Sequence, residues 1–133
     1  MSAFTTEITV EWGDCDEAGI VFYPNYFYWF DCTFQRLLRS RELGQRQLRS
    51  RFGAVTPLID VGAKFHAPVR YDDVLQVESE VVEWIERKFR VAYRVKRDTK
   101  MVAEGHELRA WAALSEGKLK GAAIPEEFRR LVT

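Results

Sequence analysis

Three carboxylates fall within four residues near the start of the chain, at Asp14, Asp16 and Glu17. Glycines bracket this polar loop, and Pro24 follows at a position where a helix is predicted to begin, because proline suits the first helical turn. A carboxylate held there could attack a carbonyl carbon or activate water, while backbone N–H groups at the helix start stabilise the developing oxyanion. Such a role requires an oriented and desolvated carboxylate, since a carboxylate is a poor nucleophile in water. The alternative is a solvated acidic turn that only caps the helix.

The remaining reactive side chains are few. His66 and His106 are the two histidines, and Cys15 and Cys32 the two cysteines. Their spacing matches no zinc site, nucleophile elbow or phosphate-binding loop, so no metal is predicted. Each histidine is expected to be a packed or surface group. Two thiols in a chain with no predicted signal peptide are typical of free cysteines in a cytosolic protein.

The residues after the acidic loop have helical periodicity from about Pro24 to Leu43. Apolar side chains recur on one face at Tyr26, Phe30, Phe34, Leu37 and Leu38. Trp29 lies on the flank of the same face. Arginines occupy the opposite face towards the end, and Gly44 is a plausible stop. The heavy aromatic load predicts a central buried helix, the alternative being a helix on the outside of a bundle.

The rest of the chain alternates apolar and polar residues, as strands do. Strands are predicted over residues 5–12, 58–65, 74–86, 89–96, 101–114 and 118–122, with a short helix opening at Pro125. Short polar turns join the later strands, which favours antiparallel pairing. The order predicts an α+β fold in a single domain, residues 1–133, with an antiparallel sheet of about five strands packed around one long helix. Such a sheet has open edges, and dimerisation would cover them.

Bulk composition gives no support to a charge-driven function. The chain has 133 residues with 20 basic and 20 acidic side chains, so net charge gives no reason to expect a nucleic acid or membrane partner. Neither a predicted leader segment nor a run of about 18 apolar residues is found. We therefore expect a cytoplasmic protein.

Residues 12–26, WGDCDEAGIVFYPNY, resemble the active-site segment of the 4-hydroxybenzoyl-CoA thioesterase family. The resemblance continues through residues 29–31, 56–57, 71–75, 83–84 and 118–120, and so covers nearly the whole chain in order. It implies a hotdog fold and hydrolysis of an acyl-CoA thioester. It also implies a homo-oligomer, with a dimer as the minimal unit and a tetramer expected. No cofactor is implied, because coenzyme A is part of the substrate.

The resemblance also implies roles for individual residues. Asp16, rather than Asp14, occupies the position of the catalytic carboxylate, acting as nucleophile or general base. Direct attack is favoured because no second base is evident nearby. The backbone from Gly19 to Tyr23 would polarise the thioester oxygen, with the Tyr23 N–H facing it. The expected acyl-group contacts are Asp31, Thr56, Tyr26 and Trp29, and the expected coenzyme A contacts are Arg87, Lys118 and Lys120.

Departures from the family pattern leave the acyl group open. Glu17 stands where close relatives commonly have proline, and residues 45–52 show little similarity in a region that often shapes the acyl pocket. Asp31 favours a hydroxylated aromatic acyl group, because a pocket carboxylate is costly unless it meets a polar group. A short or medium aliphatic acyl-CoA is the alternative substrate. A non-catalytic module that binds acyl-CoA or acyl-carrier protein is the alternative of another class. Lys118 and Lys120 could equally be solvated lysines that protect an edge strand.

Overall fold

A five-stranded antiparallel sheet wraps one long helix in the computed structural model, which describes residues 3–133. The helices are α1 (Pro24–Ser40), α2 (Gln45–Phe52) and α3 (Glu126–Val132). The strands are β1 (Phe4–Thr9), β2 (Ala54–Val55), β3 (Leu58–Phe65), β4 (Val74–Ile85), β5 (Lys88–Arg97), β6 (Lys100–Ala110), β7 (Ala112–Ser115) and β8 (Lys118–Gly121). The main sheet has the order β1-β4-β5-β6-β3, and β2, β7 and β8 form a second, three-stranded sheet. The predicted α+β class and the five-stranded sheet around one helix are confirmed.

Helix α1 lies across the inner face of the sheet. Pro24 occupies its first turn, as predicted, and its apolar stripe is buried, with Phe30 and Phe34 fully inaccessible. The ring of Phe30 stacks on Tyr93 of β5, with centroids 4.5 Å apart and planes 12° apart. Burial of these large aromatic side chains holds the helix against the sheet.

The helix ends three residues earlier than the pattern indicated. Glu42, with φ 58°, takes the left-handed conformation that closes the helix, and the Leu43 N–H donates to the Leu38 carbonyl at 2.8 Å. This six-to-one bond is the mark of a Schellman cap. Gly44 therefore does not end α1, and instead stands immediately before α2. The α2 helix was not predicted, because Leu48 is its only fully buried side chain.

Two predicted strands are shorter in the structure. The first ends at Thr9 instead of residue 12, and Trp12 lies in a single 3-10 turn with 76% of its surface exposed. The strand predicted over 101–114 breaks at Trp111, beyond which β7 pairs with β2 and β8. The Trp111 N–H still donates to the Arg87 carbonyl at 2.9 Å, which ties the break to the β4–β5 turn.

The outer face of the sheet is charged. Glu78 on β4 accepts hydrogen bonds from Arg94 at 2.8 Å and from Lys96 at 2.9 Å, both on β5. None of the helices formed by residues 3–133 has the length and apolar character needed to cross a bilayer.

Candidate active site

A tight loop presents Asp16 immediately before α1. The Asp16 N–H donates to the Ile20 carbonyl, the Gly19 N–H donates back to the Asp16 carbonyl, both at 2.9 Å, and Cys15 pairs with Val21 in an isolated bridge. Gly19 has φ 79°, a conformation that costs glycine little and other residues more. The local sequence therefore folds residues 14–22 into a small hairpin whose turn begins at Asp16.

Asp14 is used to build this loop. Its Oδ2 accepts the Glu11 N–H at 2.8 Å, and its carbonyl accepts the Phe22 N–H at 2.9 Å and the Asn25 side-chain amide at 2.8 Å. These bonds join the loop to the first turn of α1. The contacts give Asp14 a structural role at the base of the loop.

Asp16 is differently placed. Its Oδ1 accepts the Ala18 N–H at 2.8 Å, and no other donor from residues 3–133 reaches this exposed carboxylate. The single bond orients the carboxylate and leaves Oδ2 free. Asp16 borders a cavity of about 170 Å³ whose other lining residues are Trp12, Cys15, Gly19 and Tyr71.

Tyr23 lies at the start of α1 with an available backbone donor. Its N–H has no acceptor among the described residues, and Pro24 has no N–H to offer. Tyr23 lines a larger apolar cavity of about 360 Å³, which Tyr26, Phe65 and His66 also border. Burial raises the pKa of the Tyr26 phenol to about 12, so it stays neutral. Asp16 and Tyr23 thus line different cavities, although Gly19 of the first cavity and Ile20 of the second are neighbours in the chain.

Asp31 and Thr56 belong to a separate polar cluster around Arg109. The guanidinium donates to Asp31 Oδ1 at 2.7 Å, to the Thr56 carbonyl at 2.8 Å and to Glu107 Oε1 at 2.9 Å. The Tyr93 hydroxyl also donates to Glu107 Oε1. Burial raises the pKa of Glu107 and raises that of Tyr93 well above 10. Neither Asp31 nor Thr56 lines either of the cavities that Asp16 and Tyr23 border.

Sequence reasoning missed Arg109, Glu107 and Tyr93 as members of a site. A usable signal was present, because Glu107 and Arg109 are two residues apart on a strand and so share a face with Trp111. Glu107, Arg109 and Trp111 are all buried. Two charged residues on an inward face indicate a paired internal cluster. Of the predicted lining residues, Trp29 is buried and packs edge-on against Tyr26 at 5.4 Å.

The three predicted coenzyme A contacts are exposed at one end of the molecule. Lys118 and Lys120 alternate along β8, and Arg87 lies in the β4–β5 turn. Backbone bonds link these segments, since Trp111 donates to the Arg87 carbonyl and accepts from Ala122, two residues after Lys120. None of the three cations forms an ion pair with an acidic group of residues 3–133.

Both histidines pair with carboxylates on the outer face of the sheet. His66 contacts Glu104 at 2.7 Å and His106 contacts Asp60 at 3.1 Å. Both cysteines are free thiols. Across residues 3–133, no three His, Cys, Asp or Glu side chains converge as a metal site would require.

Known proteins resemble this chain over nearly its full length. Residues 10–132 match the family model described as the thioesterase-like superfamily. The chain is 32% identical to 4-hydroxybenzoyl-CoA thioesterase from Pseudomonas sp. (strain CBS-3), over 97% of this chain and 96% of the relative. It is 25% identical to acyl-CoA thioesterase YbgC from Haemophilus influenzae, over 96% of this chain and 93% of that relative.

Solved structures agree with these sequence relatives. The crystal structure of a mutant 4-hydroxybenzoyl CoA thioesterase complexed with 4-hydroxybenzoyl CoA superimposes with a TM-score of 0.90 and 31% identity, covering 98% of this chain and 99% of that one. A gentisyl-coenzyme A thioesterase superimposes with a TM-score of 0.82 and 29% identity, covering 94% of this chain and 98% of that one. The predicted hotdog fold is confirmed.

Proposed function

Because the chain belongs to the thioesterase-like superfamily, we propose that it hydrolyses an acyl-CoA thioester to a free acid and coenzyme A. We further propose that Asp16 is the catalytic carboxylate and that the acyl group is a hydroxylated aromatic one. Relatives named as acyl-CoA thioesterases across almost the whole chain support the reaction class.

The observation that carries the assignment of Asp16 is the geometry of the loop before α1. A single backbone bond orients the carboxylate and leaves Oδ2 free, and the Tyr23 N–H at the helix start has no acceptor among residues 3–133. A carboxylate oxygen and an N–H at the positive end of a helix, each without a partner among residues 3–133, could act on opposite sides of a carbonyl group bound between them. The carboxylate of Asp14 also accepts one backbone N–H, but Asp14 is less exposed than Asp16 and does not line the cavity that Asp16 borders.

We favour direct attack by Asp16. Its Oδ2 would add to the thioester carbon, and collapse of the oxyanion would expel the coenzyme A thiolate and leave a mixed anhydride on Asp16. Water would then hydrolyse the anhydride, releasing the acid and regenerating the carboxylate. General-base activation of water uses the same residue, and hydrolysis in 18O-labelled water separates the two routes. Only direct attack, followed by water addition at the aspartyl carbonyl, labels the Asp16 side chain.

Asp31 supports a hydroxylated aromatic acyl group. Its side chain is 43% exposed, unlike the rest of the Arg109 cluster, and it could accept a hydrogen bond from a substrate hydroxyl. Similar proteins are named for 4-hydroxybenzoyl and gentisyl thioesters, both of which carry ring hydroxyls. The exposed cations Arg87, Lys118 and Lys120 would bind the phosphates at the other end of the substrate.

We also propose a homodimer as the minimal unit, with a tetramer built from two dimers. Strand β3 is an edge of the main sheet and exposes apolar side chains, including Ile59 at 55% and Val61 at 40%. An open apolar edge favours pairing with a second chain. A partner would also offer a way to bring Asp31 of one chain near Asp16 of the other. Val61→Lys should weaken the dimer in sedimentation velocity, and a wild-type chain that sediments as a monomer at micromolar concentration would contradict the proposal.

The test of the function is thiol release from a panel of thioesters. It includes benzoyl-, 3- and 4-hydroxybenzoyl-, phenylacetyl-, butyryl- and dodecanoyl-CoA, with wild type, Asp16→Asn and Asp14→Asn. Asparagine keeps the acceptor that each loop bond needs, so both variants should fold. We expect Asp16→Asn to lose at least about a hundredfold in kcat and Asp14→Asn to lose far less. Equal losses would refute the assignment to Asp16, and a panel without turnover would favour the binding module. Faster aliphatic hydrolysis would refute only the acyl group.

A further inference from the structure

Arg109 is a charged side chain held almost entirely inside the protein. Only 4% of its side chain is exposed, and its guanidinium lies 4.7 Å above the Phe34 ring. Three of its nitrogens donate to three acceptors, on Asp31, Thr56 and Glu107. A buried guanidinium is costly unless it is paired and hydrogen-bonded, and a planar fork bound at three points has little freedom.

Asp31 is the acidic member of the cluster that reaches the surface. Glu107 is 1% exposed, whereas the side chain of Asp31 is 43% exposed. Burial raises the pKa of Glu107, and it also raises that of Tyr93, so the Tyr93 phenol is neutral.

The two oxygens of Asp31 are in different states. Arg109 and Gln35 both donate to Oδ1, at 2.7 Å and 3.2 Å, and no donor from residues 3–133 contacts Oδ2. The guanidinium therefore holds Oδ1 and leaves Oδ2 without a donor among residues 3–133. That oxygen is available to a group from outside the chain.

Two buried side-chain atoms in the same cluster have no partner among the described residues. They are Thr56 Oγ1 and Glu107 Oε2, and both residues are bonded to Arg109. Buried polar atoms are bonded to protein or to ordered water in most native structures, so these two atoms belong to the interior of the cluster and not to its exposed end at Asp31.

We infer that Arg109 is a positioning residue for substrate selection. It holds Asp31 Oδ1 so that Oδ2 accepts a hydrogen bond from a hydroxyl on the acyl group. The inference rests on the proposed thioesterase function and deepens it. Because Oδ2 is an acceptor with no donor among residues 3–133, the site selects acyl groups that donate a hydrogen bond. It rejects substituents that only accept one, such as a methoxy group or a second carboxylate.

The experiment compares kcat/KM for four thioesters that differ only at the para position. They are 4-hydroxybenzoyl-, benzoyl-, 4-methoxybenzoyl- and 4-carboxybenzoyl-CoA. The variant is the pair Glu107→Gln/Arg109→Met, which removes one charge of each sign and keeps similar volumes, because neutral replacement of a buried ion pair is tolerated better than loss of one partner. Arg109→Lys is the second variant, since it keeps the charge but cannot span three acceptors.

We expect wild type to prefer the hydroxy over the methoxy thioester by about thirtyfold, the size of one hydrogen bond to a charged group. The preference should fall to about threefold or less in the pair variant, with smaller loss in Arg109→Lys, while benzoyl-CoA turnover changes little. In an Asp31→Asn background the pair substitution should have no further effect on the ratio, because Arg109 acts through Asp31.

The outcomes separate this inference from the function on which it rests. A hydroxyl preference that survives the pair substitution, or equal losses for all four thioesters, would mean that Arg109 is merely structural and would overturn the inference alone. Benzoyl-CoA hydrolysis with no hydroxyl preference in wild type would do the same. If wild type hydrolysed none of the four, the proposed function would fall together with the inference.

Discussion

Gly105 on β6 leaves room for the Phe30 ring, and an added methyl group there should destabilise the protein. A Cβ built on Gly105 would lie 2.3 Å from Phe30 Cε2, where ordinary contacts begin at 3.4 Å. It would also lie 2.9 Å from the Gly62 carbonyl oxygen, a backbone atom in the neighbouring strand. The ring has little freedom to retreat, because Phe30 is fully buried and stacked on Tyr93. Gly105→Ala is therefore an overpacking substitution in the centre of the core.

Overpacking of this kind costs about 1–3 kcal/mol. The entropy of unfolding for a chain of 133 residues is about 0.28 kcal/mol/K, so the melting temperature should fall by about 4–11 °C. Circular dichroism melting measures this, with Gly121→Ala as the matched control, because a Cβ on Gly121 meets nothing within 4 Å. Phe30→Leu should partly rescue Gly105→Ala, giving a double variant more stable than the sum of the single losses indicates. A Gly105→Ala protein that melts within about 1 °C of wild type would refute the packing argument.

Three further predictions concern the loop and the outer sheet. Gly19→Ala should lower the melting temperature, because a side chain at φ 79° introduces about 1–2 kcal/mol of strain. It should also reduce kcat, with a smaller effect on KM, because it displaces Asp16. An unchanged kcat would contradict this. Glu17→Pro should raise the melting temperature by about 2–3 °C, because the Glu17 N–H has no acceptor within residues 3–133; a lower melting temperature would show that the turn rejects proline. Hydrogen bonding from Arg94 holds the pKa of Glu78 in the folded protein below its ordinary value of 4.5. Glu78 therefore stabilises the protein above pH 4.5, and this stabilisation is lost as the pH falls through the lowered pKa of the folded state. The melting temperature of Glu78→Gln should therefore be lower than that of wild type at pH 7 and equal to it at the acid end of a pH series. A difference in melting temperature that stays constant with pH would contradict the assignment.

The parts of the fold that could be predicted from sequence are those set by local pattern. Helix α1 begins at Pro24 and buries the predicted aromatic stripe, because a 3.6-residue period and a proline at the first turn are properties of neighbouring residues. Its end was misjudged, because Glu42 closes the helix in a left-handed conformation that glycine usually supplies. Helix α2 was missed for a related reason, since it buries only Leu48 completely and so has a weak apolar period.

The same division holds within the candidate site. The turn at Asp16 could be anticipated because the bonds of Asp16 itself join residues four positions apart or fewer, and a glycine at position 19 marks the turn. The Arg109 cluster could not, because its bond to Asp31 spans 78 positions and depends on which strand packs under α1. Asp31 entered the sequence argument through the family resemblance and as a carboxylate that needs a polar partner. The structure supplies one such partner from the chain itself, and the free Oδ2 leaves a place for a second. The proposed catalytic chemistry thus depends on one short segment, whereas the proposed substrate selection depends on contacts that exist only after the sheet has wrapped the helix.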